Sequence, residues 1–266
     1  MHDSSMIRIR VVAITILVLG VAHAAQAQGF GRRNQTPINP YIQNPKYDGR
    51  FTFARLSYET GPGGYYYGGR PAWSHGYDLA ERNLTQILNT LSTVQPRLES
   101  GVVYNLDDPE LFKYPLAYMT EAGYWTLTDK EALAFRKYLL KGGFVIFDDF
   151  RDDFRNGGGY ENFLANMKRI LPDARIVDLT PKDPIFHSFF EINSFGIIPQ
   201  AYDRAVPVLQ AIYEDNDPNK RMLAMINYST DVSQYWEFSA TGFRPISESN
   251  EAYKLGVNYL IYAMSH

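Results

Sequence analysis

The sequence predicts an α/β fold, a three-layer sandwich with a mostly parallel central sheet. Segments typical of β-strands alternate with segments of helical periodicity, and short loops join them. The strand predicted at 144–147 is apolar at every position, as expected where helices cover both faces of a sheet. Such alternation implies right-handed crossovers, and hence helices on both sides of the sheet.

The first 27 residues have the three parts of a secretory signal peptide. Arg8 and Arg10 form a basic start, an apolar run covers 11–22, and Ala25-Gln26-Ala27 suits a cleavage site. An uncleaved membrane anchor is the rival interpretation, but the run is shorter than the roughly 20 residues of a membrane-spanning helix. We therefore expect cleavage, export to the periplasm or the exterior, and no integral membrane span afterwards.

The composition excludes several classes of protein. The chain has no cysteine, so it has no disulfide, no cysteine nucleophile and no cysteine for lipid attachment. Its 26 basic and 29 acidic residues give a formal net charge of −3, which does not favour a nucleic-acid partner. The 20 tyrosines indicate either a thick core with tyrosine at its edges or a surface that binds a partner.

The chain is divided into a leader, an arm and one domain. The segment 28–49 is rich in Gly, Pro, Asn and Gln and lacks periodicity, so we expect a flexible N-terminal arm. A single α/β domain is expected over 50–266. It begins with a strand at 51–58, followed by a glycine-rich segment at 61–69 that we expect to be an irregular, mobile binding loop or lid.

The first helix is predicted from a start signal and a stop signal. Asp78 and Glu81 have the spacing of a capping box, and the apolar periodicity that follows ends at Pro96. Two short strands are then predicted, around 102–104 and 115–119.

A second helix begins and ends with clear signals. Thr128 and Glu131 form a capping box, and Gly142 is expected to end the helix in a left-handed conformation. The central strand at 144–147 comes directly afterwards.

The remaining segments continue the alternation and then depart from it. A helix is predicted over 160–171 and a strand over 174–179. Two strands at 206–213 and 222–228 flank a turn, which predicts an antiparallel hairpin at one edge of the sheet. The final helix is predicted to begin near Ser247.

Asp148 and Asp149 follow the central strand, at the edge of the sheet where open α/β folds bind ligands. Such carboxylates could hold a divalent cation or act as a general base, or could cap the next turn and pair with neighbouring arginines. No second cluster with ligand spacing accompanies them. We therefore expect no metal and no cofactor.

Three further side chains are candidates for the same edge. His75 lies between the glycine-rich segment and the first helix, and His187 follows a Pro-Ile-Phe turn. Each is either a catalytic group or an ordinary hydrogen-bonded loop histidine. Arg55 lies within the first strand, and Asp148 or Asp149 is its expected partner because an unpaired buried charge is costly. No Gly-x-Ser-x-Gly follows a strand, which excludes the nucleophile elbow of a serine hydrolase.

Several short motifs from Phe51 to the end resemble the bacterial family of domain of unknown function 4159. The motifs are Phe53-Ala-Arg-Leu, Tyr77-Asp78, Tyr118-Met-Thr120, Tyr138-Leu-Leu-Lys-Gly-Gly-Phe144 with Asp148-Asp149, Pro184-Ile-Phe-His187, Asn227-Tyr-Ser-Thr-Asp231 before Trp236, and Leu255-Gly-Val-Asn258 with Tyr262-Ala263.

The resemblance implies a fold similar to flavodoxin-like and class I glutamine amidotransferase-like domains. It also implies an association, elsewhere in the family, with membrane proteins of the aerotolerance type that carry von Willebrand-like modules. It brings no established chemistry. Amidotransferases place a cysteine on the turn after a central strand, and Asp148-Asp149-Phe150 stands at the comparable turn here.

Three hypotheses about function follow. The leading one is a non-catalytic binding module of the cell envelope, whose partner is an unknown ligand or envelope protein. Its ligand-binding residues would be Arg55, His75, Asp78, Asp148, Asp149 and Asp231. The alternative is a hydrolase of an envelope saccharide or peptide, with Asp148, Asp149 and His187 as candidate catalytic residues. A purely structural partner of an envelope complex is the third, and whether the chain is an enzyme stays open.

Overall fold

The computed structural model describes residues 43–152, 159–196 and 206–266, which belong to one compact unit. The predicted signal peptide at 1–27 and the first part of the predicted arm, 28–42, lie outside the described residues. From the rest of the arm, Asn44 exchanges two hydrogen bonds with the backbone of Val103, at 2.6 and 2.8 Å.

Seven of the nine strands in the described part of the chain form one sheet, in the order β4-β1-β5-β6-β9-β8-β7. The strands are β1 Ala54–Ser57, β2 Tyr65–Tyr66, β3 Arg70–Pro71, β4 Val102–Asn105, β5 Leu116–Thr120, β6 Phe144–Phe150, β7 Ile176–Asp178, β8 Val208–Tyr213 and β9 Met222–Tyr228. The first five strands of this order, from β4 through β1, β5 and β6 to β9, pair in parallel. Strand β8 is antiparallel to both of its neighbours, β9 and β7. The sheet is therefore mostly parallel, as predicted.

Five α-helices in the described part cover both faces of the sheet. They are α1 Leu79–Leu91, α2 Asp129–Leu140, α3 Tyr160–Ile170, α4 Val232–Glu237 and α5 Ile246–Ser265. One core layer contains apolar side chains of α2 and α3, and the other contains those of α1, α4 and α5. This arrangement is consistent with the predicted three-layer fold. No helix of residues 43–152, 159–196 and 206–266 is both long and apolar enough to cross a membrane.

The predicted hairpin is present, and it is formed by β8 and β9. The edge strand beyond it is the three-residue β7, which pairs antiparallel with β8. The sequence favoured a longer strand at 174–179. A short edge strand leaves few unpaired backbone groups for another chain to pair with.

Local signals account for α2. Its capping box is complete, since Thr128 accepts a hydrogen bond from the Glu131 backbone and Glu131 accepts one from that of Thr128. Gly142 has φ +116°, a backbone conformation that glycine adopts without steric cost. Both predictions for this helix are confirmed.

The glycine-rich segment is more regular than expected. Tyr65–Tyr66 and Arg70–Pro71 pair as a small antiparallel sheet, and a 3₁₀ turn at Tyr67–Gly69 joins them. The prediction of an irregular loop is wrong because two consecutive glycines, Gly68 and Gly69, supply the positive φ angles of the turn without preventing the pairing.

Candidate functional site

Four polar side chains come together where parallel strands end. Asp149 lies in β6, Glu121 directly follows β5, and Asp231 follows β9 and begins α4. These three strands are neighbours in the sheet, so their carboxyl ends meet at one edge. His75 reaches the same place from the turn before α1. We refer to His75, Glu121, Asp149 and Asp231 as the open cluster.

His75 is the centre of the open cluster. Its Nδ1 atom lies 2.8 Å from Asp149 Oδ2 and 3.5 Å from Glu121 Oε1. One nitrogen of His75 and one carboxylate oxygen from each of Asp149 and Asp231 all lie within 4.8 Å of one another. Nitrogen and oxygen atoms at this spacing are a possible set of metal ligands.

Only one of the two carboxylate oxygens of Asp231 has a structural role. Its Oδ1 atom accepts hydrogen bonds from the Gln234 backbone and from the Ser233 hydroxyl, both at 2.9 Å, and so caps α4. Its Oδ2 atom is buried and has no hydrogen-bond partner among the described residues. A buried carboxylate oxygen without a hydrogen bond lowers the stability of the folded state, and a bound ligand would remove that penalty.

The open cluster is reachable from solvent on one side. The side chains of His75 and Glu121 are 17% and 26% exposed, whereas Asp149 and Asp231 are almost completely buried. A ligand that enters past the histidine therefore meets two buried carboxylates behind it.

The backbone at this edge has an unusual conformation. Glu121, Asp149 and Ser229 have φ angles of +55°, +56° and +58°, and each lies at the carboxyl end of β5, β6 or β9. The pairing of β6 with β9 shifts register between Phe147 and Phe150, which is a bulge at Asp149. Left-handed non-glycine residues cost about 1–3 kcal/mol each and gather at functional sites.

Burial and mutual repulsion alter the ionisation of the cluster. Burial raises the pKa of Asp149 to about 6, with Glu121 adding to the shift and His75 opposing it. Burial raises the pKa of Asp231 to about 7, and the charge of Asp149 contributes. For His75, burial lowers the pKa but the hydrogen bonds to Asp149 and Glu121 outweigh it, so the pKa is well above its ordinary value.

A buried ion pair lies beneath the cluster. Arg55 donates from Nε to Glu81 Oε1 at 2.6 Å, and Nη1 donates to the carbonyl oxygens of Trp73 and His75, both at 3.0 Å. The guanidinium carbon lies 4.9 Å from the centre of the Tyr118 ring. Arg55 thus holds the backbone that presents the imidazole of His75.

Asp148 is held differently from its neighbour Asp149. Both of its oxygens are used: Tyr118 donates to Oδ2, and Asn227 donates to Oδ1 at 3.0 Å. The backbone N–H groups of Val232 and Ser233 add bonds at 3.3 and 3.0 Å. We refer to Arg55, Glu81, Tyr118, Asp148 and Asn227 as the support network.

The structure thus brings together only some of the residues expected at the site. His75, Asp149 and Asp231 meet, and Asp148 lies beside them as part of the support network. The expected pairing of Arg55 with Asp148 or Asp149 is wrong, because Glu81 on α1 reaches Arg55 instead.

His187 and Asp78 make their contacts elsewhere. His187 binds Glu191 through Nδ1 and the carbonyl oxygen of Pro181 through Nε2. Asp78 makes no capping hydrogen bond, and its side chain lies 3.8 Å from Arg82, one turn along α1. The expected capping box of α1 is therefore wrong, although the helix does begin at the next residue.

Two acidic residues were not expected at the site from the sequence, although each left a signal. Glu81 precedes Leu84 and Leu88 on the buried stripe of α1, which argues against a solvent-facing cap. Glu121 directly follows a buried strand, at the same edge of the sheet as Asp149.

The small β2–β3 hairpin covers one side of the site. The ring of Tyr66 lies 5.3 Å from the imidazole of His75, and its hydroxyl is 3.0 Å from that of Ser74. Arg70 stacks on the ring of Tyr66, with its guanidinium carbon 4.6 Å from the ring centre. Tyr65 and Tyr67 are exposed beside it.

Comparison with known proteins gives a family without a described activity. No curated protein matches the chain in sequence. A family model matches residues 52–264, which include every residue of the open cluster and the support network. The chain belongs to the family described as Domain of unknown function (DUF4159).

Proposed function

We propose that this protein is an exported binding domain of the bacterial cell envelope and that its binding site is the open cluster. The observation that carries the proposal is the buried Oδ2 atom of Asp231, which has no hydrogen-bond partner among the described residues and belongs to a side chain that lies beside His75 and Asp149. Most buried polar atoms of a folded protein have a hydrogen-bond partner, so a free carboxylate oxygen beside other ionisable groups favours a ligand.

The charges of the cluster indicate the kind of ligand. Glu121, Asp149 and Asp231 supply three carboxylates around the single imidazole of His75. A positively charged ligand would relieve the repulsion that adds to the effect of burial in raising the pKa values of Asp149 and Asp231. We therefore propose a cationic ligand.

Thermal denaturation of the purified full chain tests this proposal. The probes are divalent chloride salts, putrescine and lysine, compared with glucose, acetate and phosphate. At least one cation should raise Tm by more than about 3 °C, because a ligand of the native state stabilises it by mass action. The variant with both Asp149→Asn and Asp231→Asn should not respond. Equal responses of variant and wild type, or a response only to neutral or anionic probes, would refute the proposal.

A second candidate function is hydrolysis, with His75 and Asp149 as the acid-base pair in place of Asp148 and His187. The observation that favours it is the direct contact of His75 with Asp149 at a strained strand end, within reach of solvent. A panel of esters, amides and glycosides tests it. Turnover that falls at least about 100-fold in His75→Gln would support hydrolysis. Absence of turnover would favour the binding module.

A further inference from the structure

We infer that the open cluster is a divalent transition-metal site in which His75, Asp149 and Asp231 are the protein ligands, with Zn²⁺ or Mn²⁺ as the ion. This inference rests on the proposed function, since it names the cation that the cluster binds. It is independent of whether the protein also catalyses a reaction.

The first argument is the spacing of the ligand atoms. An ion bound at about 2.1 Å by three atoms holds each pair of them about 3–3.5 Å apart. The three atoms lie within 4.8 Å of one another, and the His75–Asp149 contact is 2.8 Å. Displacements of about 1 Å would therefore bring the three ligand atoms to the separations that they have around a coordinated ion.

The second argument is the free atom of Asp231. This side chain is 1% exposed, its Oδ1 atom is occupied in capping α4, and its Oδ2 atom has no hydrogen bond within the part of the chain that the structure describes. Glu81 also has an oxygen without a hydrogen bond, but Glu81 forms an ion pair with Arg55. Asp231 instead lies beside the carboxylate of Asp149 and the imidazole of His75, so an ion bound by all three would satisfy its free oxygen.

The third argument is how firmly the backbone at His75 and beside Asp149 is held. The carbonyl oxygen of His75 accepts a hydrogen bond from Arg55, and the backbone N–H of Glu121 donates to the carbonyl oxygen of Asp148. Tyr58 donates to the carbonyl oxygen of Glu121 at 2.8 Å. Metal ligands are normally oriented by such outer contacts.

The donor set indicates the type of ion. One imidazole nitrogen with two carboxylates suits Zn²⁺ or Mn²⁺ better than Ca²⁺, which takes six to eight oxygen ligands. Three protein ligands leave a coordination position for water. Glu121 Oε1 lies 3.5 Å from His75 Nδ1, so a further carboxylate stands next to the proposed ligands.

Isothermal titration of the metal-free, untagged full chain with ZnCl₂ and MnCl₂ tests the inference. We expect one ion per chain, and at least a 30-fold loss of affinity in His75→Gln and in Asp231→Asn. Asp231→Asn keeps the oxygen that caps α4, so it should fold. His187→Gln is the matched control, because His187 also contacts a carboxylate but has no third ligand. Its affinity should equal that of the wild type.

A second measurement needs no variant. In the ¹⁵N-histidine spectrum of the wild type, Zn²⁺ should shift the ring signals of His75 and leave those of His187 in place. Binding that survives both substitutions, or shifts at His187 instead, would overturn the inference. If neither metal binds but putrescine or lysine stabilises the chain, the metal inference fails and the proposed function stands. If no cation binds, both fail.

Discussion

The support network and the open cluster lie side by side, and both contain buried carboxylates. They differ in how far the fold itself supplies partners for those charges. In the support network, Arg55 is paired with Glu81 and both oxygens of Asp148 accept hydrogen bonds. In the open cluster, Asp149 and Asp231 repel one another, and one oxygen of Asp231 has no hydrogen-bond partner in residues 43–152, 159–196 and 206–266. A buried charge that has a counter-ion or accepts hydrogen bonds on both oxygens supports the fold, whereas a carboxylate beside other carboxylates is available for a ligand.

The largest expected effect comes from breaking the support network. Glu81→Ala leaves Arg55 buried without its counter-ion, and we expect a loss of about 3–5 kcal/mol in the free energy of unfolding. Urea denaturation measures it. The double variant Arg55→Met with Glu81→Leu should be less unstable than Glu81→Ala, because it removes both charges. Glu110→Ala, from an exposed ion pair with Lys113, is the control and should change little.

Asp148→Ala should cost somewhat less, about 3 kcal/mol. It leaves the buried donors of Tyr118, Asn227 and Ser233 without an acceptor. The measurement is again the midpoint and slope of urea denaturation. A loss below about 1 kcal/mol would mean that Asp148 belongs with the open cluster and not with the support network.

Removal of a charge from the open cluster should raise the stability of the protein, whereas removal of one from the support network lowers it. Asp231→Asn keeps the cap of α4 and removes a repelled charge, so without ligand we expect a gain of up to about 1 kcal/mol in stability. Asp231→Ala, which also removes the cap, should lose about 1 kcal/mol. Thermal melts of both variants decide the matter. Clear destabilisation by Asp231→Asn would contradict the distinction between the two regions.

The left-handed residue of β6 offers a test of similar size. At φ +56°, Asp149→Gly removes the steric cost of a side chain, whereas Asp149→Ala keeps it. We expect the glycine variant to be more stable than the alanine variant by about 1 kcal/mol. At Ala54, in the regular part of β1, the order should be reversed, so that the native alanine is more stable than Ala54→Gly.

The smallest effect is expected at the outlying histidine. A hydrogen bond to Glu191 raises the pKa of His187 above 6.5. This contact stabilises the fold below pH 6.5, and the contribution is lost as the pH rises through the pKa of the folded state. Glu191→Gln should therefore lower Tm slightly at pH 5.5 and not at pH 9. An NMR titration should show the pKa of His187 moving back towards 6.5.

The sequence predicted the fold better than the site, for a physical reason. Apolar periodicity and caps are local, so the β8–β9 hairpin and the capping box of α2 could be read directly. The short helix α4 was missed, although Asp231 and Gln234 have capping-box spacing.

The partners of charged residues depend on contacts between distant segments. Arg55 pairs with Glu81, 26 residues away, and His75 meets Asp149, 74 residues away. Asp148 and Asp149 looked equivalent, but the bulge in β6 turns one into the support network and the other towards His75. No local pattern shows which of the two carboxylates a bulge will turn.

The open cluster takes its members from four separated parts of the chain, at 75, 121, 149 and 231. A ligand held by all of them would link the ends of three strands to the turn before α1, and it would have to leave before any of those segments could open. Occupancy would therefore slow unfolding and lengthen the lifetime of the folded protein in the presence of proteases. Resistance to digestion, followed over time with and without ligand, would then report on the state of the site.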